Sequence, residues 1–184
     1  MKRILLEGPA VEPVLLSEAK AHLRLDGAGE DELVAALIAA ARVAVEVEIR
    51  RVLIAQKWRV VVERWPKHGI VLPVGPLLSV EAVRVIDGAG AVTVLGEADY
   101  QAETADGSLQ LFAFVAAVAR TEIDFTAGYG VSGLDVPQPL RHAMRMLVTH
   151  WYEHRSCVIM GETSTATPYG FRELLTPYRR LALC

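Results

Sequence analysis

Apolar positions recur along this chain with two periods, and the change from one to the other divides it in three. In the first part, Leu16, Ala19, Leu23 and Leu25 mark the inner side of a short helix, EAKAHLRL, with Ser17 placed as its N-cap. Asp26–Glu30 (DGAGE) is a turn. A longer helix is expected from about Asp31 to Arg51, where Val34, Leu37, Ile38, Ala41 and Val45 recur every three or four residues. Acidic side chains at its start and Arg50 and Arg51 at its end suit the helix dipole. From Lys57 the period becomes two. In KWRVVVERW, Trp58, Val60 and Val62 share a face. Val80–Ile86, Ala91–Leu95, Leu109–Phe112 and Glu122–Thr126 read as further strands, with Asp87-Gly88 as a hairpin turn and Ile123 and Phe125 facing the sheet core. LPVGPL, residues 72–77, holds two prolines and a glycine and reads as an extended connector.

After Gly133 the helical period returns. Pro139 suits a first helical turn, and Leu140, Ala143, Met144, Leu147 and Trp151 form one stripe. Residues 156–168 are small and polar, a loop. A last helix, about Phe171–Leu181, presents Phe171, Leu174, Leu175 and Tyr178. The order helices, strands, helices gives an α+β chain. We expect one domain over residues 1–184: a helical bundle built from 14–55 and 134–181, with a β-rich insertion over about 56–130. Within it, Trp151 is expected as a core anchor, and the segment from Ser156 onward as an arm serving assembly more than subunit folding.

Composition narrows the classes. With 184 residues, 52% apolar and 22% charged, the chain can bury a real core. A net charge of −3 without a basic block argues against a DNA-gripping surface. The N-terminal apolar run is too short for a signal peptide, and no stretch is long enough for a membrane span. Two cysteines, Cys157 and Cys184, make no disulfide framework and are expected to be free thiols in a reducing cytoplasm.

Two motifs invite a chemical reading. His150-x-x-Glu153-His154 has the spacing of one class of zinc peptidase, and its histidines lie on one flank of a helix. A zinc hydrolase also needs a third protein ligand and a carboxylate that reaches the metal-bound water. The carboxylates downstream, Glu162 and Glu173, fall in a loop and on a short helix, and a variant would recruit Cys157. A solvated helix flank is the plainer reading, and the hydrolase is kept as the alternative function. The second motif, GYGVSG at 128–133, matches a dinucleotide fingerprint, but Leu134–Pro137 intervene before the helix and no strand follows it. A glycine-rich exit from the last strand accounts for it. Glu46 and Glu48 do not share a helix face and make no catalytic dyad. Tyr178, Arg179 and Arg180 either meet an acidic partner or complement the last helix's C-terminal dipole.

Taken in order, LLSEAKAHLRL, DELVAALIAAAR, Trp58, LPVGPLLSV, FTAGYG, VPQPLRHAMRMLVTHWYEHR and YGFRELLTPYRRL resemble the head–tail connector (adaptor) proteins of tailed bacteriophages and gene transfer agents, from about Val14 to Leu181. The resemblance implies a structural virion protein, not an enzyme, with no catalytic residue, cofactor or metal. It implies a homo-oligomeric dodecameric ring under the portal protein, extending a channel through which double-stranded DNA passes without sequence-specific binding. A tail-side stopper or tail-terminator protein would dock below. The implied location is the head–tail junction of a virion or phage-like particle made in the bacterial cytoplasm, with no membrane partner. In HWYEHR the resemblance implies packing roles for Trp151 and Tyr152 and a polar anchor in Arg155. With Phe171, Tyr178, Arg179 and Arg180, residue types common at interface hot spots, these are the expected partner-interface residues. Twelve copies at −3 each would carry −36, which repels phosphates wherever it faces a channel.

Overall fold

The computed structural model describes residues 1–66, 68–105, 107–112, 118–154 and 168–180. These form two compact units, each assembled from two stretches of chain: residues 1–10 with 54–131, and residues 11–53 with 132–184.

The first unit is built of strands. Its larger sheet has the order β1-β2-β8-β4-β5, with β1 Lys2–Glu7, β2 Gln56–Val62, β4 Leu77–Asp87, β5 Val92–Leu95 and β8 Val118–Ala127, all neighbours antiparallel. A smaller antiparallel sheet has the order β3-β7-β6, formed by β3 Ile70–Val71, β7 Ser108–Leu111 and β6 Tyr100–Glu103. The period of two is expressed directly. On central strand β8, Thr121, Ile123, Phe125 and Ala127 are buried, beside Val60 and Val62 of β2 and Val83 and Val85 of β4. Ile70, Leu72 and Leu109 contribute buried side chains from the smaller sheet and its approach. The turn expected at Asp87-Gly88 is present: Asp87 Oδ1 accepts from the N–H groups of Ala89 and Ala91, both at 2.9 Å.

The second unit is helical: α1 Leu16–Leu23, α2 Asp31–Ile49, α3 Gln138–Glu153 and α4 Phe171–Leu175, the last running into a 3-10 turn at Thr176–Tyr178. Val34, Ile38, Ala41, Val45 and Ile49 form the buried stripe of α2, as their spacing predicts. Leu140, Ala143, Met144, Leu147 and Val148 do the same on α3, which packs against α2, α1 and α4. Leu15, rather than Ser17, occupies the N-cap of α1, and Glu18 Oε2 accepts from its N–H at 3.1 Å.

The expectation of a helical bundle with a β-rich insertion is wrong. The described residues are mixed α/β, with about 31% strand in two antiparallel sheets and only four α-helices. Three strands escaped the periodicity. β1 is exposed at every position, so its side chains, KRILLE, carry no alternation. β3 has two residues and β6 four, too short to show a period. The N-terminal strand matters most, because through it residues 1–10 join the strands of 54–131 in one unit. The helical part, in turn, contains only two long helices; α1 has eight residues and α4 five.

Candidate functional site

His150 to His154 close α3. The two histidine rings lie against each other, their centroids 4.6 Å apart and tilted by 36°. His154 Nδ1 is 2.8 Å from the carbonyl oxygen of His150, a local contact one turn back along the helix. Glu153 and His154 are exposed. Among the described residues, no third His, Cys, Asp or Glu joins the pair in a group able to hold a metal ion. Cys157 and Glu162 lie outside the described residues, as do Arg155 and Cys184. Glu173 lies on α4.

The remaining expected interface residues separate into two places. Trp151 and Tyr152 are half-buried at the end of α3. The Tyr152 hydroxyl donates to Glu30, at the entry to α2. Trp151 is therefore not at the centre of the buried stripe; that place belongs to the set ending in Leu147 and Val148. Phe171 is buried at the start of α4, with Leu175 beside it, and α4 packs on α3 and α2 of its own chain. Arg179 Nη2 pairs with Glu48 of α2, while the backbone N–H of Arg180 donates to the Ile49 carbonyl at 2.9 Å. Tyr178 is half-buried in the 3-10 turn between them. Residues 168–180 thus fold back onto the helical unit instead of standing off as an arm. Glu48, excluded from the sequence alone as half of a catalytic dyad, is the anchor of this return.

Three ionic clusters serve structure. Arg141, only 3% exposed, donates from Nε to the Pro13 carbonyl at 3.0 Å and from Nη2 to both carboxylate oxygens of Glu18, at 2.7 and 2.8 Å. Arg42 bridges Glu12 at 2.9 Å and Glu46 at 3.0 Å, and Glu46 Oε1 accepts from the N–H of Leu53 at 2.9 Å. Burial pushes the Glu46 carboxyl above its ordinary range, against the opposing pull of the Leu53 N–H and of Arg42. On the charged face of the larger sheet, Asp124 of β8 accepts from Arg59 of β2 at 2.6 and 2.8 Å and from Arg84 of β4 at 2.7 Å. The Arg59 hydrogen bonds, outweighing burial and helped by Arg84, hold this carboxyl below its usual range.

GYGVSG has no nucleotide-binding geometry; its glycines allow backbones to touch. Gly128 takes φ +146°, and a Cβ there would come within 2.6 Å of Ala55 N and Ile54 C. Gly130 O accepts from the Ala55 N–H at 2.8 Å. A Cβ on Gly133 would lie 2.7 Å from the Pro13 carbonyl oxygen. Ser132 then caps a 3-10 turn, its Oγ accepting from the Leu134 N–H at 3.2 Å.

One surface was missed in the sequence. Leu33, Ala36, Ala40, Val43 and Val47 lie along α2 outside its buried stripe, with Val47 at 71% exposure. They are spaced three, four, three and four residues apart, the seam spacing of helices that pack on other helices. The buried stripe of the same helix drew attention away from it. Among the described residues no helix is long and apolar enough to cross a membrane.

Comparison with known proteins bears on the chain as a whole. The family described as "Head completion protein" matches over residues 14–181. A chain from the virion of a native gene transfer agent particle is similar at 26% identity and a TM-score of 0.82, covering 100% of this chain and 98% of that one. A chain from the neck of an empty gene transfer agent particle, in a reconstruction with C6 symmetry, is similar at 25% identity and a TM-score of 0.77, with 100% and 98% covered. A third, from the neck of a native particle with C12 symmetry, is 28% identical with a TM-score of 0.69, covering 98% and 97%. No curated protein matches.

Proposed function

Because this chain belongs to the head completion protein family, we propose that it is a structural component of the junction between a phage-like head and its tail. The observation that carries this reading is the end-to-end likeness to chains from gene transfer agent virions and necks, where nothing substantial of either chain is left over. The chain works by assembly, in a ring of twelve, and not by catalysis. The portal protein lies on its head side and a stopper or tail terminator on its tail side, and double-stranded DNA passes through without base-specific contact. The six- and twelve-fold symmetries of the similar necks favour a ring. A net charge of −3 per copy favours passage of DNA over its capture. A hydrolase built on His150, Glu153 and His154 has no observation in its favour.

Negative-stain imaging of the purified chain mixed with portal protein tests the reading. The expected result is portal particles capped by an additional twelve-fold ring. A chain that never joins portal particles at any ratio would overturn it. Elemental analysis bears on the discarded alternative: one zinc per chain, lost in His154→Ala, would reopen it.

A further inference from the structure

We propose that the outer face of α2 is the contact between neighbouring copies in the ring, an inference that rests on the ring reading above and gives it a location. A helix normally shows one apolar stripe and one polar face; one that is apolar on both sides is covered on both sides. Each residue advances about 100°, so Leu33, Ala36, Ala40, Val43 and Val47 lie about 200° around α2 from the centre of its buried stripe. The outer stripe runs most of the length of a helix of 19 residues, about 28 Å. Leu33 is 38% exposed and Val43 49%. Two alanines at the middle of the row let another element come close.

Ring geometry says what covers it. A face that meets its own copy makes a two-fold pair and stops. A closed ring of more than two copies needs two different faces on each subunit, one receiving the other. The helical unit carries a second exposed apolar group on the segments that meet where Gly133 approaches Pro13: Val11, Leu15 at 61% and Leu134 at 77%. It is small, three branched side chains of which Leu15 caps α1 and Leu134 lies in the 3-10 turn, whereas the α2 stripe is long and has alanines at its centre. The occupant is a second copy of this chain, its Leu15 and Leu134 seated against Ala36, Ala40 and Val43.

The test uses the full-length chain in sedimentation velocity over rising concentration, with and without portal protein. Val43→Glu/Val47→Glu is expected to abolish self-association while circular dichroism and the melting temperature stay those of the wild type. Val94→Glu, at a position 63% exposed on β5, is the control and should associate normally. The direction of the contact is read by disulfide trapping in a Cys157→Ser/Cys184→Ser background. Val43→Cys mixed with Leu15→Cys should cross-link efficiently, and neither variant alone should. Val43→Cys cross-linking to itself would refute the head-to-tail contact. Undiminished association of Val43→Glu/Val47→Glu would refute the location and leave the ring standing. A drop in melting temperature without loss of association would show that the face is covered by the chain itself. A wild-type chain that stays monomeric with portal protein present removes the ring, and this inference with it.

Discussion

Arg141 and Glu18 stand 123 positions apart in sequence and form a two-pronged ion pair, one guanidinium nitrogen reaching both carboxylate oxygens. The pair ties the start of α3 to the first turn of α1, and Arg141 Nε donates its proton to the Pro13 carbonyl just before that helix. Arg141→Met would leave the Pro13 carbonyl without this donor and the Glu18 carboxylate with the Leu15 N–H but no guanidinium. A loss of roughly 1–3 kcal/mol is expected, because the buried carbonyl loses its donor while the partly exposed carboxylate can turn to water. Urea denaturation followed by circular dichroism measures it. An unchanged midpoint would mean that water replaces the guanidinium at no cost.

Asp124 and Glu46 should give opposite responses to acid. Asp124 titrates lower in the folded chain than its ordinary 3.8, chiefly through the hydrogen bonds from Arg59. Its contribution is complete above that ordinary value and is lost as pH falls through the lower folded one. Asp124→Asn should therefore flatten the acid limb of the stability curve. Glu46 titrates higher than its ordinary 4.5, chiefly through burial. The folded chain takes up a proton there first, so this group makes the fold more stable as pH falls towards 4.5. Glu46→Gln should remove that gain. Denaturation midpoints across the range from neutral pH to well below the ordinary carboxylate values check both, and parallel curves for wild type and variants would contradict both.

Two glycines make a controlled pair. Gly128→Ala meets backbone atoms at 2.6 Å with φ at +146°, so Ile54 and Ala55 must move. A cost of roughly 2–4 kcal/mol is expected. Gly88→Ala, where nothing lies within 4 Å of the added carbon, should stay within about 0.5 kcal/mol. Thermal melts of the two variants side by side decide it; equal losses would mean that the strand exit relaxes freely.

Phe171→Ala tests whether the last helix belongs to the subunit. Phe171 is 6% exposed and Leu175 is fully buried. A loss of about 3 kcal/mol is expected for truncating a buried aromatic. If stability is unchanged while ring assembly fails, the arm expected from the sequence is the better description.

Much of this was legible in the pattern of apolar residues, and the failures have physical reasons. The stripe Val34, Ile38, Ala41 and Val45 located α2, and the alternation of Ile123 and Phe125 located β8. Both elements bury one face against a neighbour, and burial is what imposes a period. Lys2–Glu7 has no fully buried position; its strand is held chiefly by backbone pairing to β2, which leaves no trace in side-chain type. Trp151 continued the α3 stripe on a helical wheel but sits in the last turn of α3, beyond the buried set that ends at Val148, and is half-buried. Tyr152 and Arg179 were singled out for partners elsewhere, and both have partners in their own chain, Glu30 and Glu48. Polar pairing at that distance in sequence is invisible before the fold is known. The outer face of α2 was readable in principle, since its heptad spacing is plain once the buried stripe is subtracted.

Each unit is made of two separated stretches, and this governs the order in which a growing chain can fold. β1 is made well before its neighbours: the strand it pairs with begins at Gln56, and the central strand β8 begins at Val118. α1 and α2 follow β1, but α3, which they pack on, begins only at Gln138. Neither unit can close until well past the middle of synthesis, and the N-terminal strand has no partner until β2 has been made. Long-range pairings of this kind slow folding. Neither unit can be expressed as one continuous fragment either: a polypeptide for the sheets needs residues 1–10 joined to 54–131, and one for the helices needs 11–53 joined to 132–184.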